Sequence, residues 1–302
     1  MEIGFVGLGK MGIEMATRGV KANHALVGYD YSTDAIQSAE QRGIRCVTSL
    51  KELLDSLEKP RMIWLQTPPG EPTQKLIREL GEVLESQDVI IDAGNSDFRD
   101  SVKNAAFLEQ KNIHFVDVGV SGGIAGAKNG CGLLVGASEE NYQGLVPFFK
   151  ALAAPNAYCL CGAPGAGHYA KTIHNGVEYA IMQAYSEGYE MLSSSEIDVD
   201  VLAVLKAYQG GCSIRSHLLE KVIEALEPDV TLSGVEGYVA DSGMGRWTVE
   251  EAIRLKVPTP TISAALQSRF RSQQADSPQM QCIAALRGAI GGHPVKRKEV
   301  TL

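Results

Sequence analysis

One short glycine motif constrains the fold of this chain more than any other feature. Residues 7–12 read GLGKMG, directly after an apolar run at residues 2–6 and directly before a helix-forming stretch. In a strand–loop–helix unit, the first glycine of G-x-G-x-x-G permits a tight turn, the second lets the backbone approach a pyrophosphate, and the third allows close packing of helix and strand. Free amides at the N-terminus of the helix then hold the phosphates. The motif therefore predicts a dinucleotide-binding βαβ unit.

An acidic residue stands where such a unit needs one. Asp30 closes a second apolar run and is placed to accept hydrogen bonds from the hydroxyls of the adenosine ribose. Its charge repels a 2′-phosphate, and Tyr31 and Ser32 follow it, so no adjacent Arg can pair with that phosphate. We therefore expect NAD as the cofactor, with NADP as the open alternative. The expected cofactor contacts from this region are Gly7, Leu8, Gly9, Lys10, Met11, Gly12, Asp30 and Tyr31.

Apolar runs alternate with amphipathic helical stretches through the first half of the chain. Strands are predicted at residues 2–6, 25–29, 61–66, 89–92 and 114–118, with helices at 10–21, 32–41, 71–84 and 98–110. Two further short strands are candidates at residues 133–135 and 158–160, with a helix between them. Such alternation implies a parallel sheet covered on both faces. After the glycine-rich segment at residues 162–167 the pattern is helical only. We predict an α/β Rossmann-type dinucleotide-binding domain at residues 1–163, followed by an all-α substrate and oligomerisation domain at residues 164–302.

Composition and charge exclude several classes of protein. The 302 residues include 28 Lys and Arg against 36 Asp and Glu, a net charge of −8, which argues against a nucleic-acid binder. No apolar run approaches the roughly 18 residues that span a bilayer, and the N-terminus lacks a basic leader, so we expect a cytoplasmic protein without a membrane partner. The six Cys lack the paired C-x-x-C spacing of a zinc site, so we expect reduced thiols and no metal.

Four polar residues share one face of a predicted helix in the second half. Lys171, His174, Asn175 and Glu178 stand at i, i+3, i+4 and i+7. A solvent-exposed face seldom carries Asn and Gly in mid-helix, because both lower helix propensity, although such a face remains the alternative. Removal from water favours the neutral form of a lysine and the protonated form of a glutamate. One lysine base and one glutamic acid could therefore serve two successive proton transfers.

These residues resemble the 6-phosphogluconate dehydrogenase family in its short bacterial form. The sequence KTIHNGVEY at residues 171–179 is similar to the family's K-x-x-H-N-G-x-E-Y signature. VIIDAGNS at residues 89–96 resembles its nicotinamide-side loop, and VSGG at residues 120–123 resembles its substrate-carboxylate loop. GGCSIR at residues 210–215 resembles a segment whose arginine binds the sugar phosphate. Arg287 and His293 keep the spacing of a family pair that reaches into the partner subunit's active site.

The resemblance implies oxidative decarboxylation of 6-phospho-D-gluconate to ribulose 5-phosphate and CO₂, with reduction of NAD or NADP. Lys171 is the implied general base and acid, and Glu178 the implied general acid. Asn95 is implied to contact both cofactor and substrate. The other implied substrate contacts are Ser121, Gly122, Gly123, His174, Asn175, Tyr179, Arg215, Arg287 and His293. The implied assembly is a homodimer or homotetramer in which the C-terminal segment completes the neighbouring active site.

The sequence also departs from the family pattern. The chain is too short to contain the duplicated helical half of the family's long form. Ser242 and Met244 stand where the long form places a Lys and a Thr on the substrate phosphate, so that contact falls to Tyr179, Arg215 and Arg287, with Arg246 as a further candidate. Two alternatives stay open: a dehydrogenase of another β-hydroxy acid, of the 3-hydroxyisobutyrate type, and a dinucleotide-sensing protein without catalytic activity.

Overall fold

The computed structural model describes residues 1–291 and 294–297. Two units, Met1–His174 and Asn175–Leu302, are distinguished by their internal contacts. The division between them falls inside a long helix, Ala166–Ser193, that continues from the first unit into the second. The domain boundary predicted at residue 163 lies before this helix and stays a prediction.

An eight-stranded sheet forms the centre of the first unit. Its strands are β1 (Glu2–Val6), β2 (Ala25–Tyr29), β3 (Arg45–Cys46), β4 (Met62–Leu65), β5 (Val89–Asp92), β6 (His114–Ser121), β7 (Cys131–Gly136) and β8 (Ala153–Gly162). Their order across the sheet is β3-β2-β1-β4-β5-β6-β7-β8. The chain crosses from one side of β1 to the other between β3 and β4, which leaves a crevice at the carboxyl ends of β1 and β4 where α/β sheets bind ligands.

Helices connect most of these strands. They are α1 (Gly12–Lys21), α2 (Thr33–Glu40), α3 (Leu50–Asp55), α4 (Glu71–Val83), α5 (Phe98–Glu109), α6 (Gly123–Asn129) and α7 (Glu139–Leu152), followed by α8 (Ala166–Ser193). Polar side chains cap several of them: Ser32 at α2, Ser49 at α3, Asp97 at α5 and Ser138 at α7. Each cap satisfies an N–H group that the first turn of a helix leaves without an intrahelical partner.

The sheet is buried on both faces because alternate residues of its central strands enter different apolar clusters. Phe5 and Trp64 lie in the cluster on one face, and Val6 and Leu65 lie in the cluster on the other. The ring of Trp64 packs edge-on against Phe148 of α7, with a centroid distance of 5.4 Å. Strands covered on both faces read as nearly continuous apolar runs, which is why the sequence predicted them.

The second unit contains helices only, within the part of the chain that the structure describes. After the end of α8 come α9 (Val201–Gly211), α10 (His217–Leu226), α11 (Met244–Leu255), α12 (Pro260–Ser272) and α13 (Pro278–Gly291). Leu205 of α9 packs with Leu219 and Ile223 of α10 in one apolar cluster. The predicted fold class, a Rossmann-type domain followed by helices, is confirmed.

The structure corrects the sequence prediction in several details. The strand β3 and the helices α3, α6 and α13 were not predicted, and α1 begins at Gly12 rather than at residue 10. The sheet is not parallel throughout, because β6 and β7 pair antiparallel. The connection between them is residues 122–130, which is shorter than the dozen or more residues that a parallel crossover needs. Among residues 1–291 and 294–297, no helix is long and apolar enough to span a bilayer.

Candidate active site

The glycine loop lies between the carboxyl end of β1 and the start of α1. Gly7 has a φ of +98°, and its N–H donates a hydrogen bond to the carbonyl of Tyr29 at 3.0 Å. A Cβ at Gly12 would lie 1.9 Å from the carbonyl oxygen of Gly7. Only glycine at position 12 therefore lets α1 begin this close to β1. Leu8 lies between these glycines, and its side chain is buried in the core.

Gly9 differs from these two glycines because it faces open space. No atom lies within 4 Å of the position that its Cβ would occupy. The loop borders a cleft of about 390 Å³, which is lined by Val6, Gly7, Gly9, Lys10, Met11, Gly12, Asp30, Tyr31, Gln66, Thr67 and Pro68. Open space beside Gly9, next to the N–H groups at the start of α1, fits the pyrophosphate of a dinucleotide.

Asp30 follows β2 and connects the glycine loop to the N-cap of α2 through two hydrogen bonds. Its Oδ2 accepts the backbone N–H of Leu8 at 2.7 Å, and its Oδ1 accepts that of Ser32 at 2.8 Å. Each carboxylate oxygen keeps a second lone pair for a further donor. The ring of Tyr31 packs against that of Tyr29, with a centroid distance of 5.4 Å. The acid is therefore held beside the glycine loop, where the sequence predicted it.

Residues after β4 form a side of the cleft that the sequence analysis missed. Gln66, Thr67 and Pro68 line it. The side chain of Gln66 donates from Nε2 to the carbonyl of Ala93 at 2.9 Å and accepts from the indole of Trp64 at 3.2 Å. The signal available was their position, because residues after the carboxyl end of a parallel strand beside β1 face the ligand crevice.

The loop after β5 is connected to the end of β6 by Asn95. Its backbone is left-handed, with a φ of +55°. Its Oδ1 accepts the N–H of Val120 at 2.8 Å, and its Nδ2 donates to the carbonyl of the same residue at 3.2 Å. Asn95 therefore holds the strand end that carries Ser121, which gives it a structural task in addition to any contact with ligand.

A row of hydrogen bonds connects the predicted base to the loop at the end of β6. Lys171 Nζ lies 3.4 Å from His174 Nδ1, and His174 Nε2 lies 3.0 Å from the hydroxyl of Ser121. A neutral imidazole has one donor and one acceptor nitrogen and can join both neighbours. Lys171 as a whole is only 7% exposed, so the row begins at a largely buried lysine.

Two glycines after Ser121 start α6. Gly122 and Gly123 both have positive φ, +121° and +58°, a backbone conformation that side chains rarely tolerate. A Cβ at Gly123 would meet no atom within 4 Å. The backbone N–H groups at the start of α6 are thus accessible next to the hydroxyl of Ser121, and N–H groups of this kind suit a carboxylate.

The remaining members of the predicted helix face lie further along α8. Asn175 is 7% exposed, and Glu178 is half-buried. Helix α8 is continuous from Ala166 to Ser193, so the i, i+4 and i+7 spacing from Lys171 places both on its side of the helix. Seven residues correspond to a rise of about 10 Å along the axis.

Within the second unit, the ring of Tyr179 lies in an apolar cluster with Ala265 and Leu266, while its hydroxyl and one ring face meet polar and cationic groups. Its hydroxyl lies 3.2 Å from that of Ser242, and the guanidinium of Arg269 lies 3.5 Å from the centre of its ring. A Cβ at Gly245 would come within 2.4 Å of the same ring. Arg269 could not be predicted from the sequence, because no motif connects α12 to residue 179. Arg246 is paired with Asp241 at 2.6 Å.

Other predicted site residues of this unit lie elsewhere in its fold. Arg215 is exposed in the turn between α9 and α10, and Arg287 is exposed on α13. Met244 is the first residue of α11. His293 lies outside the described residues, so the predicted Arg287–His293 pair stays a prediction.

Comparison with known proteins identifies the family. The family profile for the NAD binding domain of 6-phosphogluconate dehydrogenase matches residues 2–163, and the profile for the C-terminal domain of 6-phosphogluconate dehydrogenase matches residues 167–297. The chain belongs to the 6-phosphogluconate dehydrogenase family. The cleft beside Gly9 therefore lies in the NAD-binding domain of that family.

Members of the family align with the whole chain. The NAD(+)-dependent, decarboxylating 6-phosphogluconate dehydrogenase of Haloferax volcanii is 39% identical over 301 residues, which cover 99% of this chain and 100% of that protein. The structure of Plasmodium falciparum 6-phosphogluconate dehydrogenase aligns with a TM-score of 0.84 at 25% identity, covering 100% of this chain and 67% of that one. Mycobacterium tuberculosis 3-hydroxyisobutyrate dehydrogenase aligns with a TM-score of 0.71 at 22% identity over 95% of this chain and 99% of that one, which shows a shared fold alone.

Proposed function

We propose that this chain catalyses the NAD-dependent oxidative decarboxylation of 6-phospho-D-gluconate to ribulose 5-phosphate and CO₂. The observation that carries the proposal is the hydrogen-bonded row from Lys171 through His174 to Ser121, in the unit that contains the cofactor cleft. The name of the Haloferax volcanii relative, an NAD(+)-dependent and decarboxylating enzyme, supports the same reaction.

NAD, bound along the glycine loop, supplies the acceptor for the hydride that leaves the substrate. Gly7, Gly9, Lys10, Met11 and Gly12 would hold its pyrophosphate, and Asp30 would accept hydrogen bonds from the ribose hydroxyls. Desolvation, followed by the carboxylates of Glu79 and Asp30, raises the pKa of the Tyr31 hydroxyl. Two carboxylates beside Tyr31 make this end of the cleft unfavourable for the 2′-phosphate of NADP, which supports NAD as the preferred cofactor.

Lys171 acts first as a base. Its amine takes the proton of the C3 hydroxyl while hydride leaves C3, which produces a β-keto acid. The C3 carbonyl then accepts the electron pair of the breaking C1–C2 bond as CO₂ departs. Lys171 returns its proton to the C3 oxygen as the enediol forms, so the residue ends the step in its starting state. His174 keeps the amine aligned by the bond to its Nδ1.

Glu178 completes the reaction by protonating the carbon that becomes C1 of ribulose 5-phosphate, while Lys171, neutral again, takes the proton of the C3 hydroxyl as the C3 carbonyl forms. It lies two turns along α8 on the same side as Lys171, and helical side chains lean toward the N-terminus of their helix, so its carboxyl can approach the carbon next to the one that Lys171 serves. Asn175 binds a substrate hydroxyl, His174 binds another when its Nε2 exchanges the bond to Ser121 for the substrate, and Asn95 contacts both substrate and cofactor. The substrate carboxylate lies against Ser121, Gly122 and Gly123, where a hydroxyl and accessible backbone N–H groups are available.

The phosphate of the substrate binds near Tyr179. The hydroxyls of Tyr179 and Ser242 and the guanidinium of Arg269 supply donors and a positive charge there. Arg215, Arg287 and His293 remain proposed contacts, the last two reaching into the neighbouring active site of a homodimer or homotetramer. Arg246 is a weaker candidate than the sequence suggested, because Asp241 already neutralises its charge.

We also propose a cytoplasmic location.

The test is nicotinamide reduction by the purified protein with 6-phosphogluconate, gluconate and 3-hydroxyisobutyrate, each with NAD and with NADP. We expect reduction with 6-phosphogluconate, faster with NAD. Turnover of 3-hydroxyisobutyrate without turnover of 6-phosphogluconate would contradict the proposal and favour a dehydrogenase of another β-hydroxy acid. Tight binding of NAD without turnover of any of the three acids would favour a dinucleotide-sensing protein.

A further inference from the structure

A buried carboxylate on β6 holds the N-terminus of α8. Asp117 is 0% exposed, its Oδ2 accepts the N–H of His168 at 2.7 Å, and its Oδ1 accepts the N–H of Gly165. Gly165 is the N-cap of α8, since its carbonyl accepts the N–H of Tyr169 at 3.0 Å. Asp117 therefore satisfies two N–H groups that the helix cannot satisfy itself, and its charge lies at the positive end of the helix dipole.

The first turn of α8 is also attached to α5. His168 is buried, and its Nδ1 lies 2.7 Å from the hydroxyl of Ser101. The ring of Tyr169 packs edge-on against that of Phe98 at a centroid distance of 5.0 Å. Burial raises the pKa of the Asp117 carboxyl, and His168 and the backbone N–H groups oppose that rise.

Glycines on both elements let α8 lie close to the sheet at this point. A Cβ at Gly119 would lie 2.4 Å from Cβ of Lys171, and a Cβ at Gly167 would lie 2.4 Å from the carbonyl of Leu134. A Cβ at Gly136 would lie 2.3 Å from Oδ1 of Asp117. The stem of Lys171 is therefore pressed against β6, one turn after the N–H group that Asp117 holds.

A second buried carboxylate, on the neighbouring strand, holds a loop in the same way. Asp92 of β5 is the register partner of Asp117. Its Oδ1 accepts the N–H of Gly94 at 3.0 Å, and its Oδ2 accepts the hydroxyl of Ser96 at 2.8 Å. Asp92 thus holds the loop of Asn95, while Asp117 holds the helix of Lys171.

We propose that Asp117 is a positioning residue for Lys171: by holding the first turn of α8 on β6, it sets where the amine of Lys171 meets His174 and the substrate. The inference rests on the proposed role of Lys171 as the base. It assigns no contact with substrate to Asp117, which acts only through the helix. Its removal must therefore lower kcat more than it changes any KM.

Asp117→Asn tests this with little change of volume. One carboxylate oxygen becomes an NH₂ group that faces a backbone donor, and the charge at the helix N-terminus is lost. Because a displacement of about 1 Å at a reacting group can cost about a hundredfold in rate, we expect kcat to fall about 10- to 100-fold. The KM values for NAD and 6-phosphogluconate should stay within about threefold of wild type.

The matched control is Asp88→Asn. Asp88 is also fully buried and accepts three hydrogen bonds, from the N–H of Arg61 at 2.6 Å, its Nη1 at 3.0 Å and the N–H of Glu85 at 2.9 Å. It precedes β5, at the amino ends of the strands, opposite the cofactor cleft. This variant should lose thermal stability while kcat stays within about twofold of wild type. Equal losses of kcat in both variants would overturn the proposal, as would an unchanged kcat in Asp117→Asn.

Amide hydrogen exchange gives a second measurement that does not depend on turnover. We expect faster exchange at residues 163–175 in Asp117→Asn and unchanged exchange there in Asp88→Asn. Wild-type protein inactive on 6-phosphogluconate would refute the proposed function, whereas unchanged exchange in Asp117→Asn would refute the attachment of α8. If Asp117→Asn does not fold, Ser101→Ala removes the hydroxyl that bonds His168 and the carbonyl of Asp97 and so loosens the same turn of α8. An unchanged kcat in that variant would overturn the proposal.

Discussion

Two glycine-rich regions of the first unit use the absence of a side chain in opposite ways. In the loop at residues 7–12, Gly9 leaves open space beside the start of α1, which a ligand can enter. On β6 and α8, Gly119 and Gly167 leave no space at all, because backbone and side-chain atoms of the neighbouring element occupy it. In the first region the open glycine, Gly9, can admit a ligand, whereas the two packed glycines of the second region bring a helix to a fixed place. The comparison predicts that cofactor affinity and the rate of the chemical step depend on separate parts of this unit.

The largest expected effect is that of Lys171→Met, which retains the apolar stem and removes the amine. General acid–base catalysis contributes about 10²- to 10⁴-fold, so kcat should fall by about that factor. Lys171 does not line the cofactor cleft, so the Kd for NAD should be unchanged. Steady-state kinetics and calorimetric titration with NAD measure the two constants. Substantial residual activity would show that Lys171 is not the general base.

Two substitutions, one in each glycine-rich region, test whether the rate and the cofactor affinity depend on separate regions. Gly119→Ala places a methyl group 2.4 Å from Cβ of Lys171, so we expect kcat to fall about 100-fold while the Kd for NAD stays the same. Gly9→Ala narrows the approach to the pyrophosphate, so the Kd for NAD should rise about tenfold while kcat at saturating NAD changes little. Gly144→Ala, on the open surface of α7, is the control that should move neither constant. If Gly119→Ala and Gly9→Ala both changed kcat, or both changed the Kd for NAD, the two regions would not have separate roles.

The smallest expected effect concerns the choice of cofactor. Asp30→Ala combined with Tyr31→Arg removes a charge that repels the 2′-phosphate and adds one that attracts it. The ratio of kcat/KM for NADP to that for NAD should rise about tenfold or more. Affinity for both cofactors falls, because Asp30 also accepts the N–H groups of Leu8 and Ser32, so the ratio is the quantity to measure. A wild-type preference for NADP would show that the interpretation of Asp30 is wrong.

The sequence predicted the binding region better than the positioning region, for a physical reason. The glycine loop, Asp30 and the strands around them are local patterns, in which the spacing along the chain determines the geometry. The row from Lys171 to His174 was also predictable in part, because both residues lie on one helix face. Ser121 was predicted as a substrate contact from its motif alone. Only the fold shows that its hydroxyl lies 3.0 Å from His174.

Contacts between residues far apart in the chain could not be predicted in this way. The amide of Asn95 is bonded to Val120, Arg269 lies over Tyr179, and Gly119 lies against Lys171. No periodicity or motif connects the members of these pairs. The helices α3 and α6 were missed because they have only 6 and 7 residues, too few for an amphipathic pattern to be recognised.

The most direct test of the account is the ratio of CO₂ released to NADH formed when the purified protein acts on 6-phosphogluconate. Oxidation at C3 followed by loss of C1 predicts one CO₂ for each NADH, with ribulose 5-phosphate as the product. NADH formed without CO₂ would contradict the account, because it would show that the site oxidises a hydroxy acid but does not carry the β-keto acid to decarboxylation.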